Sequence, residues 1–218
     1  MTGYLFLGSG AVGLFDGRRW PTPDGGPADW VTGRVDSPNA IRAYRLGDLP
    51  YWLDDELWVV EVDGDIRRDP RLTRASRGRL CHWIDAWDAG AARAMALACA
   101  ERAKDAAINV LRRVGIDADA SALAACTAPE ITEQTARRIA DALSGPVADT
   151  AAYVADALFY ARGSPAPGAA AAVSAYISAR AVGCADPSGN YADAFAAERA
   201  WQATWLRDRA GLPAEEPM

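Results

Sequence analysis

The composition of the chain changes near residue 87, and this change constrains the fold more than any other feature. Six of the eight tryptophans and most of the 19 glycines lie at or before this point, whereas alanine dominates after it. Aromatic segments between turn residues are typical of sheets, and apolar residues spaced by three and four are typical of helices. The sequence therefore predicts an α+β protein, with a β-rich, Trp-rich region at 1–87 and a helical bundle at 88–218. A single domain that includes both regions stays open.

The first region has the composition of a small, mostly antiparallel sheet. Residues 4–7 and 56–62 are apolar runs that fit strands. Asp63-Gly64-Asp65 predicts a turn into a short return strand near residues 66–67.

Residues 79–85 are a further strand candidate, in which Leu80, His82 and Ile84 are expected on one face. His82 is the one histidine in the chain, and the near-neutral pKa of an ordinary imidazole makes it the best candidate for a proton carrier. The alternative is a core histidine whose hydrogen bonds are satisfied.

The second region has the spacing of five helices. Gly115, Gly145-Pro146 and the Gly- and Pro-rich segment 163–168 are expected to interrupt them. The predicted helices cover residues 88–114, 129–144, 147–161, 169–182 and 191–210.

The segment from Gly8 to Gly13 has the Gly-x-Gly-x-x-Gly spacing of a dinucleotide-binding loop. Such a loop needs a helix directly after it, because the helix N-terminus binds the pyrophosphate. Residues 17–27 instead contain three prolines and three glycines, which exclude a helix. The sequence therefore predicts a turn after a strand, without a nucleotide or other cofactor.

Charge and hydropathy limit the partners. The net charge is −6 and the arginines are interleaved with acids, which argues against a nucleic-acid partner. No apolar stretch reaches the roughly 20 residues that span a bilayer, and the start of the chain does not resemble a secretory signal. We therefore expect no membrane partner and a cytoplasmic location.

The four cysteines are isolated from one another. They are Cys81, Cys99, Cys126 and Cys184. Without a Cys-x-x-Cys pair or neighbouring histidines, they predict buried thiols and not a metal site or disulfides.

Three segments resemble a family of uncharacterised actinobacterial proteins without an established activity. They are "GAVGLFDGRRWP" (10–21), "DLPYWLDDELWVVEVDG" (48–64) and "RGRLCHWIDAWD" (77–88), which resemble the family motifs GxVGxFxGxxWP, DLPxWLxxELWxVExxG and RGRLxxxVxAWD, with Ile84 in place of the valine of the third. Such proteins commonly have Cys-x-x-Gly-Ile-His-Ala-Cys before the second motif. This chain has Arg42 and Tyr44 where they have the histidine and the second cysteine. If such proteins use that histidine and cysteine chemically, the resemblance implies that this chain uses the same pocket differently or not at all.

Glu61 interrupts an apolar strand and is expected to share a face with Leu57 and Val59. A carboxylate in such surroundings needs a partner or a raised pKa. Arg42 is the expected partner, either in a structural ion pair or in a catalytic one. Further candidate proton carriers are Tyr44 and Asp85.

Four aromatic residues are candidates for the wall of a substrate pocket or for a solid core. They are Tyr51, Trp52, Trp58 and Trp83.

In the last predicted helix, Glu198 and Gln202 share a stripe with Phe195 and Trp205. The two polar side chains are expected either to bond buried backbone and neighbours or to project into a cavity.

Three functions fit these features. The first is a cofactor-independent enzyme that moves protons on a small, partly apolar molecule in a rearrangement, elimination or cyclisation. Its substrate-binding residues would include Arg42. The alternative is a non-catalytic binding module for a small ligand or a protein toxin, of the immunity or resistance type. The third is an assembly protein that forms a homo-oligomer through its Ala-rich helices.

Overall fold

The computed structural model describes residues 1–214, in which an antiparallel sheet precedes a helical region, so the predicted α+β class is confirmed. The strands are β1 (Thr2–Gly8), β2 (Val12–Gly13), β3 (Val31–Thr32), β4 (Ile41–Ala43), β5 (Glu56–Asp69) and β6 (Leu72–Trp83), with a 3₁₀ helix at Leu46–Tyr51. The helices are α1 (Ala89–Arg113), α2 (Asp117–Ala125), α3 (Pro129–Ala142), α4 (Pro146–Gly163), α5 (Pro167–Ala185) and α6 (Tyr191–Ala210).

The chain divides into two compact units. Of the described residues, the first contains Met1–Ala91 together with 203–214, and the second contains Ala92–Gln202. The last part of α6 thus belongs to the same unit as the strands. The change in composition near residue 87 does not predict this.

The sheet of the first unit curls until two of its edges meet. β5 pairs with β1 on one side and with β6 on the other, and β6 also pairs with β4 and β3. The backbone N–H of Tyr4 on β1 donates to the carbonyl of Tyr44 (3.0 Å), and the N–H of Tyr44 donates back to Tyr4 (2.7 Å). These two hydrogen bonds pair backbone groups that would stay unpaired at the edges of an open sheet. Buried apolar side chains of these strands include Leu5, Ile41, Ala43, Val60, Val62, Ala75 and Leu80.

The turn predicted at residues 63–65 is wrong. β5 continues through these residues to Asp69, where the hairpin turns into β6. The pairing is irregular between Asp63 and Ile66, where Gly64 has a φ of +80°. These turn-forming residues therefore form a β-bulge, which bends a long strand without ending it.

A second irregularity decides the position of His82. The register steps from Val59 opposite His82 to Val60 opposite Leu80, so Cys81 is an extra residue in β6. One added residue reverses the alternation of faces. Leu80 is consequently fully buried while His82 is exposed, and the prediction that they share a face is wrong.

The second unit has an alanine-rich core. α3, α4 and α5 each begin with a proline at the start of the helix, where the missing N–H has no cost. The short helix α2 lies in a segment for which the sequence predicted no helix. Larger side chains of this core include Leu111, Leu123, Ile139, Val154 and Leu158.

In the part of the chain that the structure describes, α5 alone is long and apolar enough to span a membrane, with a mean hydropathy of 1.2. However, 56% of its most apolar stretch of 18 residues is buried within the protein, and core helices of soluble proteins have the same composition. The helix is therefore weak evidence for a membrane, and the expected absence of a membrane partner stays a prediction.

Candidate functional site

Four side chains of the first unit form a continuous stack, which we call the Arg42 cluster: Phe15, Arg42, Tyr44 and Trp52. The guanidinium carbon of Arg42 lies 4.0 Å from the centre of the Phe15 ring. Phe15 meets Trp52 edge to face, with ring centres 5.6 Å apart. Trp52 in turn lies nearly parallel to Tyr44, with ring centres 5.0 Å apart. The sequence predicted three of these residues and missed Phe15, whose only signal is an aromatic ring in a glycine-rich loop.

Different segments hold the members of the Arg42 cluster. Arg42 lies on β4, and Tyr44 follows that strand and is fixed by its backbone hydrogen bonds with Tyr4. Trp52 directly follows the 3₁₀ helix. Phe15 lies in the loop after β2 and is 51% exposed, whereas Tyr44 is 1% exposed. The cluster therefore extends from the core to the surface.

A small pocket adjoins the cluster. Its volume is about 20 Å³, which is the space of a single water molecule. Phe15, Arg42 and Tyr44 line it, and its apolar walls include Leu5, Leu7, Leu14, Trp20 and Ala40. In this conformation the pocket is too small for a ligand of several atoms.

The polar groups of the cluster are hydrogen-bond donors. Burial raises the pKa of the Tyr44 hydroxyl, and the nearby Arg42 charge opposes part of that rise. Tyr44 therefore keeps its proton at neutral pH and can donate it in a hydrogen bond. The indole Nε1 of Trp52 is buried, and within residues 1–214 it has no hydrogen-bond partner.

The segment from Gly8 to Gly13 is a hairpin turn between β1 and β2. The carboxylate of Glu56 accepts hydrogen bonds from the N–H of Gly10 (2.7 Å) and the N–H of Ala11 (3.2 Å). It also accepts one from the indole Nε1 of Trp58 (3.0 Å). The backbone groups that would face a phosphate thus already bind a carboxylate of this chain.

Glu61 pairs with Arg79 and not with Arg42, so the predicted partner is wrong. The two residues lie opposite each other on β5 and β6, and Nε of Arg79 donates to Oε2 of Glu61 (2.7 Å). Their side chains are 34% and 30% exposed. Arg79 also lies over the ring of Trp30, with its guanidinium carbon 4.6 Å from the ring centre. The ion pair is therefore half-exposed, and Arg79 is held both by the carboxylate of Glu61 and by the ring of Trp30.

The other predicted site residues of this unit lie outside the Arg42 cluster. His82 and Asp85 are exposed, the first on β6 and the second just after it. Trp58 and Trp83 stack on each other, with ring centres 6.3 Å apart. Tyr51 lies beneath the guanidinium of Arg71 and not of Arg42. The candidate proton carriers are therefore not gathered around one cavity.

Glu198 and Gln202 lie in the second unit and are buried. Glu198 accepts hydrogen bonds from Nε of Arg102 (2.6 Å) and from the hydroxyl of Ser178 (2.8 Å). Nε2 of Gln202 donates to the carbonyl of Ala175 (2.8 Å). Of the two expected arrangements, these contacts correspond to hydrogen bonds with buried backbone and neighbours.

The cysteines have different environments. Cys99 and Cys126 are buried, whereas Cys81 is half-buried and Cys184 is exposed, so burial was predicted wrongly for these two. Burial raises the pKa of the Cys99 thiol. Within residues 1–214 no group of three or more His, Cys, Asp or Glu side chains is placed to hold a metal ion.

Comparison with protein-family models, with curated proteins and with solved structures finds no match to this chain. The resemblance to the actinobacterial family therefore stays a prediction. The function has to be argued from the geometry of the site.

Proposed function

We propose that the first unit is a binding module for a small ligand with an aromatic ring, which it holds at the Arg42 cluster without turnover. The observation that carries this proposal is the contact between Arg42 and the half-exposed ring of Phe15. A guanidinium over a ring face is a favourable arrangement that proteins also use to bind ligands.

The position of the Phe15 ring is the proposed binding position. The ring contacts a cation on its face and the indole of Trp52 at its edge. The loop that carries it includes Gly17 with a φ of +62°, so its backbone follows a path that a side chain would disfavour. Arg42, Tyr44 and Trp52 belong to buried or paired segments. Phe15 is thus the member that a ligand ring would replace.

Replacement of Phe15 has an energetic consequence. The adjoining pocket has a volume of only about 20 Å³ while Phe15 is in place, so a ligand ring has to displace it. The apparent affinity then equals the intrinsic affinity multiplied by the fraction of molecules in which the position is open. We therefore expect weak binding to the parent protein and tighter binding once Phe15 is truncated.

The geometry gives less support to a cofactor-independent enzyme. General acid–base catalysis needs the acid and the base within hydrogen-bond reach of the same substrate. Glu61 is in an ion pair, His82 and Asp85 are exposed, and Tyr44 holds its proton tightly. The enzyme stays a prediction, to be tested with any ligand that the binding experiment identifies.

The test is a titration of the parent and of Phe15→Ala with phenylacetamide, followed through the indole N–H signal of Trp52 in ¹H–¹⁵N spectra. We expect Phe15→Ala to bind about tenfold or more tightly than the parent, with the Trp52 signal shifted. Phe159→Ala is the matched control, because Phe159 on α4 is 52% exposed. Equal binding by all three proteins, or a Trp52 signal that does not move, would contradict the proposal.

A further inference from the structure

Residues 66–80, which span the turn of the β5–β6 hairpin and most of β6, have a charge opposite to that of the whole chain. Residues 66–80 contain six arginines and one aspartate, whereas the chain carries a net charge of −6. The arginines alternate with residues such as Ala75 and Leu80 that are buried in the sheet. The positive charge of residues 66–80 therefore lies on the surface of β6, of the turn before it and of the end of β5, whereas Glu61 and Asp63 earlier on β5 pair with Arg79 and Arg77.

Three arginines form a row across three neighbouring strands, which we call the arginine row: Arg42, Arg74 and Arg67. Arg42 on β4 pairs with Arg74 on β6, and Arg74 pairs with Arg67 on β5. Directly paired residues of antiparallel strands project from the same face, and like charges in such positions repel. A row of three cations is therefore unfavourable unless anions lie beside it.

Among residues 1–214, fewer carboxylates than guanidinium groups are paired in this row. Oδ2 of Asp69 lies 2.7 Å from Nε of Arg74, and Oδ1 of the same carboxylate lies 3.2 Å from Nε of Arg67. Asp36 lies 3.3 Å from Arg67. Within residues 1–214 no ion pair includes Arg42, which donates only to the carbonyl of Pro38 (3.1 Å). Two carboxylates thus pair within a row of three guanidinium groups. Asp16 lines the same pocket as Arg42, but its carboxylate lies 3.5 Å from Nε of Arg18 and forms its ion pair there. The excess charge of the row lies on Arg42.

The excess charge coincides with the aromatic site, because Arg42 belongs both to the arginine row and to the Arg42 cluster. We infer that the ligand is an aromatic acid, whose oxyanion is bound by Arg42 and Arg74 while its ring takes the position of Phe15. The planar guanidinium fork matches the oxygens of a carboxylate or phosphate, which supports an oxyanion as the missing partner. This inference rests on the proposed function and adds the chemical class of the ligand.

The test compares phenylacetate with phenylacetamide, which have the same ring and similar size but differ in charge. On Phe15→Ala we expect phenylacetate to bind about tenfold more tightly. Adding Arg74→Gln is expected to remove most of that advantage, so that phenylacetate loses much more affinity than phenylacetamide. Adding Asp69→Asn is expected to raise phenylacetate affinity severalfold, because it removes the carboxylate that neutralises Arg74 and Arg67.

Arg77→Gln is the matched control, because Arg77 lies on the same strand and pairs with Asp63 outside the row. It is expected to change phenylacetate binding less than twofold. Equal binding of the acid and the amide would overturn the inference and leave the proposed function intact. Equal losses in Arg74→Gln and Arg77→Gln would also overturn it, since only the net charge would then matter. If neither probe binds to Phe15→Ala, the proposed function itself fails.

Discussion

Glu61 and Arg79 face each other across β5 and β6, and both Nε and Nη2 of Arg79 lie 2.7 Å from Oε2 of Glu61. The ion pair explains how a carboxylate is accommodated within the apolar run of residues 57–62 of β5, with Arg79 and not Arg42 as its partner. It is also open to solvent, since about a third of each side chain is exposed.

Glu61→Gln is therefore expected to have a small effect on stability. An exposed pair contributes about 0.5–1 kcal/mol, and Arg79 keeps its contact with Trp30. Urea unfolding of Glu61→Gln, Arg79→Leu and the double variant measures the coupling. A loss of several kcal/mol in Glu61→Gln would show that the carboxylate is effectively buried.

Glu198→Gln is expected to destabilise the protein by about 3 kcal/mol, because it breaks a pair in which the carboxylate side chain is completely buried. Arg102 is 39% exposed and recovers part of its hydration, so the loss stays below the upper end of the range for such pairs. Glu101→Gln on α1 is the control, since the Glu101 side chain is 57% exposed. Chemical denaturation measures the free energy of unfolding of both variants. A similar loss of stability in the two would contradict the expected effect of burial.

NAD, FAD and ATP are not expected to bind at the segment from Gly8 to Gly13. Its N–H groups already bind Glu56, and the segment leads into β2 and not into a helix. A ligand at a hundred times its dissociation constant would stabilise the protein by about 2.7 kcal/mol, which a thermal melt detects. Such a shift with any of the three, abolished by Gly10→Val, would refute this prediction.

Asp54→Asn is expected to stabilise the protein at neutral pH. Burial raises the pKa of the Asp54 carboxyl, and the neighbouring Asp55 and Glu56 raise it further, although the N–H of Asp55 opposes them. The folded state therefore holds this proton more tightly than the unfolded state, so the favourable contribution exists at low pH and is lost as pH rises through the folded pKa.

The gain for Asp54→Asn should be below about 1 kcal/mol at pH 7, because the site is partly solvated, and it should shrink towards pH 4. Thermal melts at both pH values measure it, with the exposed Asp65→Asn as control. A variant that is less stable than the parent at pH 7 would show that the charged form of Asp54 is the favoured one.

Much of the fold follows from local sequence. The prolines at 129 and 146 start helices, and the apolar runs at 4–7 and 56–62 lie in strands, because these preferences act within a few residues. The turn expected at Gly64 failed for a non-local reason. β6 continues to pair with β5 beyond this point, and a bulge with a positive φ preserves that pairing.

The candidate site depends more on tertiary structure. The sequence identified Arg42 as an expected partner of Glu61, Tyr44 as a candidate proton carrier and Trp52 as a candidate wall residue of a pocket. It did not identify Phe15, since only the folded loop brings that ring under Arg42.

The sequence by itself determined the class of the fold, the change from sheet to helices and the types of side chain available for binding. The tertiary structure decided which charges meet. Glu61 pairs with Arg79, and Arg42 stands beside Arg74, because partners across strands are set by register, which a single added residue such as Cys81 can shift. Local preferences cannot encode that register, since it depends on how strands far apart along the chain pack together, as β4 and β6 do at Arg42 and Arg74.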